Sequence, residues 1–504
     1  MDPKLNLVFF SIDTTRRDHV SCYGYDKKTT PCIDERIARH GTLFEQCFSV
    51  SNCTLPGYTS MFTGLYPTSH DIVAHGNTWP VREGVVMLAE LLKAEGYFNA
   101  EVTTLSDFPQ KSCAHLNRAF DLHAFKELDG KYKTTVANFE QLQGGHVVPA
   151  PRISAQATDL LDEIAKDGKN RPFFLFVHFW DPHTPYVPPE PFCKFYPSGR
   201  DPRDPENHAL DQLYGCNIGG WLKDWARKLD SRYKDVTDPN YVVSLYDGDI
   251  AYADHHVGVV LDKLDELGLT DYTAVVLTSD HGETMAETNA LICGQRAMFS
   301  HVGLTDPNCS IPFIVKVPGI AGGRRVDGFA SQVDMVPTLL DVLGIDRRPP
   351  YAFDGVSLLP NMLGERDVVP PSACELGSAP ADPARNPGGA ERKAVLVIES
   401  TYQKQRAVRT NRWKYIKKID GTSSMPAEQL YDLMFDPGEA RNIVDEVPNI
   451  TKPLDDAMEA WIAALCKKHG TTDPQPRLPL TLREGFTYQI RQMYGKFDKE
   501  QVFF

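Results

Sequence analysis

Apolar β-branched and aromatic runs alternate with helix-periodic stretches up to about residue 340. Leu5–Ile12 reads as a buried strand, and Val86–Glu95 as an amphipathic helix closed by Gly96. Pro172–Phe179 is a second strand. Tyr246–Leu267 keeps helical spacing and stops at Gly268, and the strands Thr273–Ser279 and Ile311–Val317 follow. This alternation predicts an α/β fold, a large and mainly parallel sheet with helices on both faces.

Two stretches lack periodicity. Residues 190–240 are rich in Pro, Asp, Arg and Trp and read as an insertion that would cap the active site. Residues 364–392, rich in Pro, Gly and Ala, read as a surface linker. Beyond it, Ala394–Glu399, Gln405–Arg409 and Lys414–Lys418 have strand character, and Leu454–His469 is helical. The expected division is a catalytic domain over 1–363, a linker over 364–392, an antiparallel α+β subdomain over 393–470, and a tail over 471–504. The tail is expected as an arm reaching a neighbouring subunit in a homo-oligomer.

An apolar share of 42% in 504 residues supplies an ordinary globular core. The net charge of −14 argues against nucleic-acid and anionic-membrane partners. A small anionic substrate stays compatible, because a metal ion reverses the local field. No apolar run reaches about 18 residues, and Met1–Asp13 reads as an early strand rather than a secretory leader. The 11 cysteines are odd in number and form no Cys-x-x-Cys pair. A reduced, cytoplasmic protein is expected.

Asp13 closes the first strand, and Asp280-His281 closes the strand Thr273–Ser279. In open α/β sheets, ligands bind beyond the carboxyl ends of strands. Each acid alone also fits a helix cap or a turn. Together, two carboxylates and an imidazole make a mixed O/N donor set that suits Mn²⁺, Zn²⁺ or Mg²⁺, and the absence of thiolate argues against structural zinc.

The stretch Ser51-Asn-Cys-Thr-Leu-Pro-Gly-Tyr-Thr-Ser-Met-Phe-Thr-Gly-Leu-Tyr-Pro67 resembles the signature of the sulfatase branch of the alkaline phosphatase superfamily. Val8-Phe-Phe-Ser-Ile-Asp13 with Cys22-Tyr-Gly24, Thr278-Ser-Asp-His-Gly-Glu283, Asp354-Gly-Val-Ser-Leu-Leu359, Leu430-Tyr-Asp-Leu433 and Asp436-Pro-Gly-Glu439 are similar to its other landmarks. The resemblance implies an alkaline phosphatase-like fold and a metal site of Asp13, Asp280, His281 and the Thr54 oxygen. Thr54 stands at the nucleophile, where sulfatases oxidise Cys or Ser to formylglycine, an aldehyde that threonine cannot give. Cys53 is a poor substitute, because the residue two positions on is Leu55 rather than proline. Thr14 replaces a frequent second acid, which weakens a Ca²⁺ reading. The acids of Tyr246-Asp-Gly-Asp-Ile-Ala-Tyr-Ala-Asp254 read as structural.

The resemblance also implies that His183 protonates the leaving oxygen and that Asn77 binds the transferred group. Thr104 and His301 occupy family lysine positions on the substrate side, and Tyr58 replaces an arginine that helps hold the aldehyde hydrate. His301 could act as a cation only if protonated, or could join Asp181 and His183 around a second metal. Thr54 is expected to start a helix, whose free N–H groups suit an anion. The implied reaction is metal-dependent hydrolysis of phosphate or phosphonate esters, mono- or diester, through a covalent Thr54 intermediate. The alternatives are a sulfatase working without formylglycine, a phosphotransferase, and a binding protein that has lost catalysis.

Overall fold

The computed structural model describes residues 4–103, 105, 113–124, 149–166, 171–211, 231–287, 291–292, 295–296, 298–365, 393–420 and 426–481. Its large sheet contains β1 (Asn6–Ile12), β2 (Thr42–Phe48), β3 (Phe98–Val102), β4 (Leu122–His123), β5 (Phe173–Phe179), β6 (Thr273–Thr278), β7 (Ser310–Ile311), β8 (Phe313–Lys316) and β9 (Arg324–Ser331). The strand order is β9-β2-β8-β6-β1-β5-β3-β4, with β7 on β2. β1 lies centrally, parallel to both β5 and β6.

The expected strand Ile311–Val317 is broken at Pro312, which cannot donate to a ladder. Its halves are β7 and β8, and β8 runs antiparallel to both β6 and β2. The sheet is therefore mainly parallel, as the pattern predicts, with the short strands β7 and β8 reversed.

Period-two alternation distributes each strand between two cores. Leu7 and Phe9 face the layer formed with Phe174 and Phe176 and with helices α1 (Thr54–Thr63), α2 (Leu88–Ala94) and α5 (Met335–Val342). Val8, Phe10 and Ile12 face the opposite layer with Leu175 and Val177, against α3 (Ala150–Lys166) and α4 (Pro239–Glu266). Burial on both faces explains why β1 reads as an unbroken apolar run.

A second sheet follows, antiparallel and in sequential order: β10 (Ala394–Glu399), β11 (Gln405–Thr410), β12 (Trp413–Lys418) and β13 (Glu428–Asp432). Helix α6 (Pro448–His469) packs Leu454, Met458, Trp461 and Ile462 onto this sheet. It begins before the expected Leu454, because Pro448 is pre-organised for a first helical turn. Val50, Tyr66 and Val333 of the first unit join the same core, and the Ile398 amide donates to Val50 O at 2.8 Å. Buried Lys414 adds ion pairs to Asp306 at 2.8 Å and Glu439 at 3.2 Å. The second sheet is thus anchored beside the segment that leads into α1.

The described part of the 190–240 insertion contributes Leu210, Tyr233 and Val236 to a cluster with Tyr186, Tyr246, Phe299 and Val302. It packs on the residues flanking His301. The linker expectation falls almost wholly outside the described residues. Of the tail expected over 471–504, Pro474 and Gln475 are buried against this chain, and residues 482–504 lie outside the described residues. No helix among the described residues is long and apolar enough to cross a membrane.

Below the carboxyl ends of β1 and β5, Phe176 meets Phe62 edge-on at 5.0 Å, Tyr58 at 5.9 Å and Phe9 at 6.0 Å. Phe176→Ala is expected to cost about 3–5 kcal/mol of unfolding free energy, read from urea midpoints. A loss below about 1 kcal/mol would contradict this packing.

Candidate active site

Strand register brings the first two acids together. Ser11 of β1 pairs with Thr278 of β6, and Asp13 and Asp280 each lie two residues further on. Both emerge at the carboxyl edge of the sheet, both fully buried. Asp13 is fixed by its amide, which donates to Phe179 O at 3.0 Å. Asp280 Oδ1 accepts from the amides of His281 at 2.9 Å and Thr14 at 3.2 Å. Ser279 Oγ donates to His281 O at 2.6 Å and accepts the Thr15 amide at 2.9 Å, which pins the turn.

Asp13, Asp280 and His281 each offer a ligating atom, and these atoms lie within 4.8 Å of one another. Asp13 Oδ1 and Asp280 Oδ2 are buried without a hydrogen-bond partner. Burial, and then the Asp280 charge, push the Asp13 carboxyl up to about 7. His281 Nδ1 donates to Gly282 O at 2.9 Å, and its Nε2 lies 3.3 Å from Asp280 Oδ2. Two carboxylate oxygens without hydrogen-bond partners and an imidazole nitrogen in one buried spot fit a divalent cation.

Outer contacts orient these donors. His178 Nε2 lies 3.3 Å from Asp13 Oδ2, and its Nδ1 lies 3.1 Å from Thr103 Oγ1. Burial lowers His178 to about 4, so the ring is neutral at pH 7. Buried Glu283 accepts from Tyr186 OH at 3.0 Å, and burial raises its carboxyl well above the usual range. The acids of α4 hold backbone and surface groups instead. Asp247 pairs with His19 and Lys27, Asp249 accepts the Val187 amide, and Asp254 accepts the amides of Cys32 and Ile33.

Thr54 is the first residue of α1, as expected, with Cys53 extended as its N-cap. Its Oγ1 lies 3.4 Å from His281 Nε2, which sets the hydroxyl at the edge of the donor set. The helix approaches closely because residue 57 is glycine: a Cβ there would sit 2.9 Å from Asp280 O. Tyr58 exchanges a 2.7 Å hydrogen bond with Ser11 Oγ and turns into the core. Cys53 is buried, and burial followed by Glu399 holds its thiol well above the ordinary value, unlike a reactive thiolate.

The histidines share one pattern. His183 Nδ1 donates to Thr184 O at 2.9 Å, and His301 Nδ1 donates to Asn52 O at 2.9 Å. A carbonyl can only accept, so Nδ1 is the donor in both rings. The His301 ring centroid is 4.5 Å from His281 and 6.0 Å from His183. Burial, then His281, His183 and His75, hold His301 well below its ordinary value. Of the two roles expected for His301, burial and these neighbours disfavour the protonated cation.

The proposed second metal set is not assembled. Asp181 Oδ2 accepts the Ala150 amide at 2.9 Å, at the start of α3. Among the described residues, the only group whose ligating atoms converge is Asp13, Asp280 and His281. Asn77 is buried, and its amide nitrogen donates to Trp79 O at 2.6 Å, so it serves the turn after Gly76. Thr104 lies outside the described residues.

Sequence reasoning passed over His75, two positions before Asn77. Burial, then the charges of His281 and His183, push its imidazole down to about 4, and Asp280 acts in the opposite direction. Its membership of the histidine group was hidden because it sits in a loop without periodicity.

Residues 5–345 match the family model described as Sulfatase. Iduronate 2-sulfatase of Mus musculus is 24% identical over 407 residues, 74% of this chain and 71% of that protein. Arylsulfatase K of Bos taurus is 32% identical over 219 residues, 42% of this chain and 35% of that protein. The multifunctional alkaline phosphatase superfamily protein PehA of Trinickia caryophylli is 27% identical over 378 residues, 66% of this chain and 71% of that protein. Among solved structures, the phosphonate monoester hydrolase of Agrobacterium radiobacter has a TM-score of 0.63 at 20% identity, covering 92% of this chain and 96% of that one. A 2-O GAG sulfatase has a TM-score of 0.64 at 20% identity, covering 95% and 99%. The structural likeness shows a shared alkaline phosphatase-like fold, and the family match spans the strands that carry Asp13, Asp280 and His281. The chain belongs to the sulfatase family.

Proposed function

We propose that this sulfatase-family ester hydrolase cleaves phosphate or phosphonate esters, mono- or diester, through a covalent intermediate on Thr54. The observation that carries this reading is the Thr54 hydroxyl, 3.4 Å from His281 Nε2 at the start of α1 and beside two uncompensated carboxylates. Asp13, Asp280 and His281 would hold a divalent cation, for which the mixed donors favour Mn²⁺ or Zn²⁺ over Mg²⁺ or Ca²⁺. When bound, that ion lowers the proton affinity of a neighbouring hydroxyl and neutralises charge on a nonbridging oxygen.

Thr54 Oγ forms the bond to phosphorus while the ester oxygen departs. Over this half-reaction one proton passes from the Thr54 hydroxyl to the leaving alcohol. His183 is suited to carry it, since its Nδ1 is committed to Thr184 O and Nε2 remains for exchange. Water then bonds to phosphorus, the Thr54 Oγ–P bond breaks, and a proton from water returns to Thr54. The N-terminus of α1 offers partial positive charge to the anion throughout.

The threonine decides between substrates. An aldehyde hydrate can expel its sulfate by re-forming the carbonyl, and a threonyl ester has no such route. Direct attack by water is needed, which favours phosphoryl over sulfuryl transfer. Tyr58, tied to Ser11 where the family carries arginine, agrees with a site that no longer holds a hydrate. The named sulfatase relatives favour a second reading, sulfuric ester hydrolysis without formylglycine.

Turnover of p-nitrophenyl phosphate, a bis-ester, a phosphonate ester and a sulfate ester should be compared with Mn²⁺ or Zn²⁺ supplied. The highest kcat/KM is expected on a phosphorus ester, and the highest on sulfate would sink the first reading. Thr54→Ala should lower kcat by at least about 10³-fold, and Thr54→Ser should retain turnover. Unchanged activity in Thr54→Ala would remove the nucleophile assignment.

Metal and proton compete at Asp13. With its carboxyl raised to about 7 from the ordinary 3.8, the metal-free native state binds more protons than the unfolded chain in that window. Its contribution to stability is therefore complete at acid pH and lost as pH rises through about 7. Added Mn²⁺ or Zn²⁺ should raise Tm more at about pH 8 than at about pH 5.5 in chelator-treated protein. Equal shifts at both pH values would contradict the assignment of these donors.

A further inference from the structure

The three residues that follow Asp13 lie outside any helix or strand, and each of their amides ends on a side chain. The Thr14 N–H donates to Asp280 Oδ1 at 3.2 Å, and the Thr15 N–H to Ser279 Oγ at 2.9 Å. The Arg16 N–H donates to Tyr246 OH at 2.9 Å. Ser279 and Asp280 belong to the turn that leaves β6 and carries His281. Tyr246 comes from a separate element, α4.

Thr14 is the strained member of this turn. Its φ of 51° lies in the left-handed region, where Cβ crowds the backbone and a β-branched residue is an outlier. Such a conformation persists only where the surroundings impose it. Tyr246 OH donates to Thr14 O at 2.8 Å while it accepts the Arg16 N–H. A phenol has one proton to give and lone pairs to receive, so a single hydroxyl closes the turn from both sides. The Tyr246 ring is fully buried, edge-on to His19 at 5.1 Å and to Tyr186 at 5.3 Å, which leaves the hydroxyl little room to move.

The turn lies directly on the metal corner. Asp280 Oδ1 receives the amides of His281 and Thr14, and Oδ2 has no hydrogen-bond partner. Arg16 reaches over the same segment: its Nη1 donates to Glu283 O at 3.2 Å, and a Cβ at Gly282 would lie 3.3 Å from Arg16 Cγ.

We infer that Tyr246 is a positioning residue of the cation site: its hydroxyl holds Thr14 in the left-handed conformation that delivers the Thr14 N–H to Asp280 Oδ1, and so keeps Oδ2 facing His281 Nε2, 3.3 Å away. The inference rests on the reading of Asp13, Asp280 and His281 as a divalent-cation site. Without the hydroxyl, Thr14 relaxes toward negative φ and its N–H leaves Asp280. The carboxylate then turns about its Cβ–Cγ bond, a broad torsion, and loses the orientation that a metal ligand needs. The hydroxyl itself contacts backbone groups and acts through Thr14.

Tyr246→Phe removes the hydroxyl and keeps the ring. Mn²⁺ titrated into the chelator-treated full-length protein should bind about tenfold more weakly than to wild type, the scale on which orienting contacts act at metal sites. Amide exchange at Thr14 and Arg16 should accelerate. Thr14→Gly in the Tyr246→Phe background should recover most of the lost affinity, since glycine adopts positive φ without steric cost. A loss that came only from looser packing of α4 would not respond to that glycine. Unchanged Mn²⁺ affinity in Tyr246→Phe would overturn the inference, as would a loss that Thr14→Gly leaves in place. If Tyr246→Phe is recovered unfolded, the double variant carries the test: folded with near wild-type affinity supports the clamp, and unfolded as well overturns it. Wild-type protein that takes up neither Mn²⁺ nor Zn²⁺ would remove the cation reading. The exchange comparison would then decide the clamp alone, faster exchange at Thr14 and Arg16 supporting it and unchanged exchange overturning it.

Discussion

Two carboxylates forced into one dry corner set the terms for this molecule. Asp13 and Asp280 are brought side by side by the parallel register of β1 and β6, each with an oxygen that finds no hydrogen bond. Buried charge of one sign is costly unless something of the other sign answers it. The cations near this corner are engaged elsewhere: Arg16 pairs with Asp18 and Glu287. The arrangement is one that a divalent cation would complete, and Thr54, Gly57 and His178 all lie against it.

The same constraint explains the unusual approach of α1. All ten of its residues are buried, and Gly57 lets its first turn lie against the Asp280 backbone. Gln332 Nε2 donates to Asp280 O at 2.6 Å and its Oε1 accepts the Val50 amide at 3.1 Å, so one side chain ties the metal corner to the strand of chain entering the helix. The second sheet anchors on Val50 from the other side. Thr54 is thus held between two units, and its position depends on contacts more than 200 residues distant in sequence.

Much of this was legible in the chain. Runs buried on both faces announced the central strands, and glycines after Glu95 and Leu267 marked two helix ends. Asp13, Thr54, Asp280 and His281 were readable because strand ends and a helix start are local features, and the family signature fixed their order. The rest depended on tertiary placement. Pro312 splits a strand that looked continuous, and the reversed β8 cannot be inferred from its own composition. Asp181 looked like a ligand because of its neighbours in sequence, yet the start of α3 occupies it. His301 looked able to carry charge until three other histidines were found around it. His75 lay in an aperiodic loop, where only contacts from residues 401 and 481 reveal that it is held.

The central claim is that a threonine, without oxidation to an aldehyde, carries the transferred group. Acid quenching during turnover of a phosphorus ester, followed by peptide mass analysis, tests this most directly. The account predicts one phosphoryl adduct per chain, located on Thr54 and discharged when substrate is exhausted. Turnover with no adduct on Thr54 at any quench time, or an adduct on Cys53 instead, would contradict it.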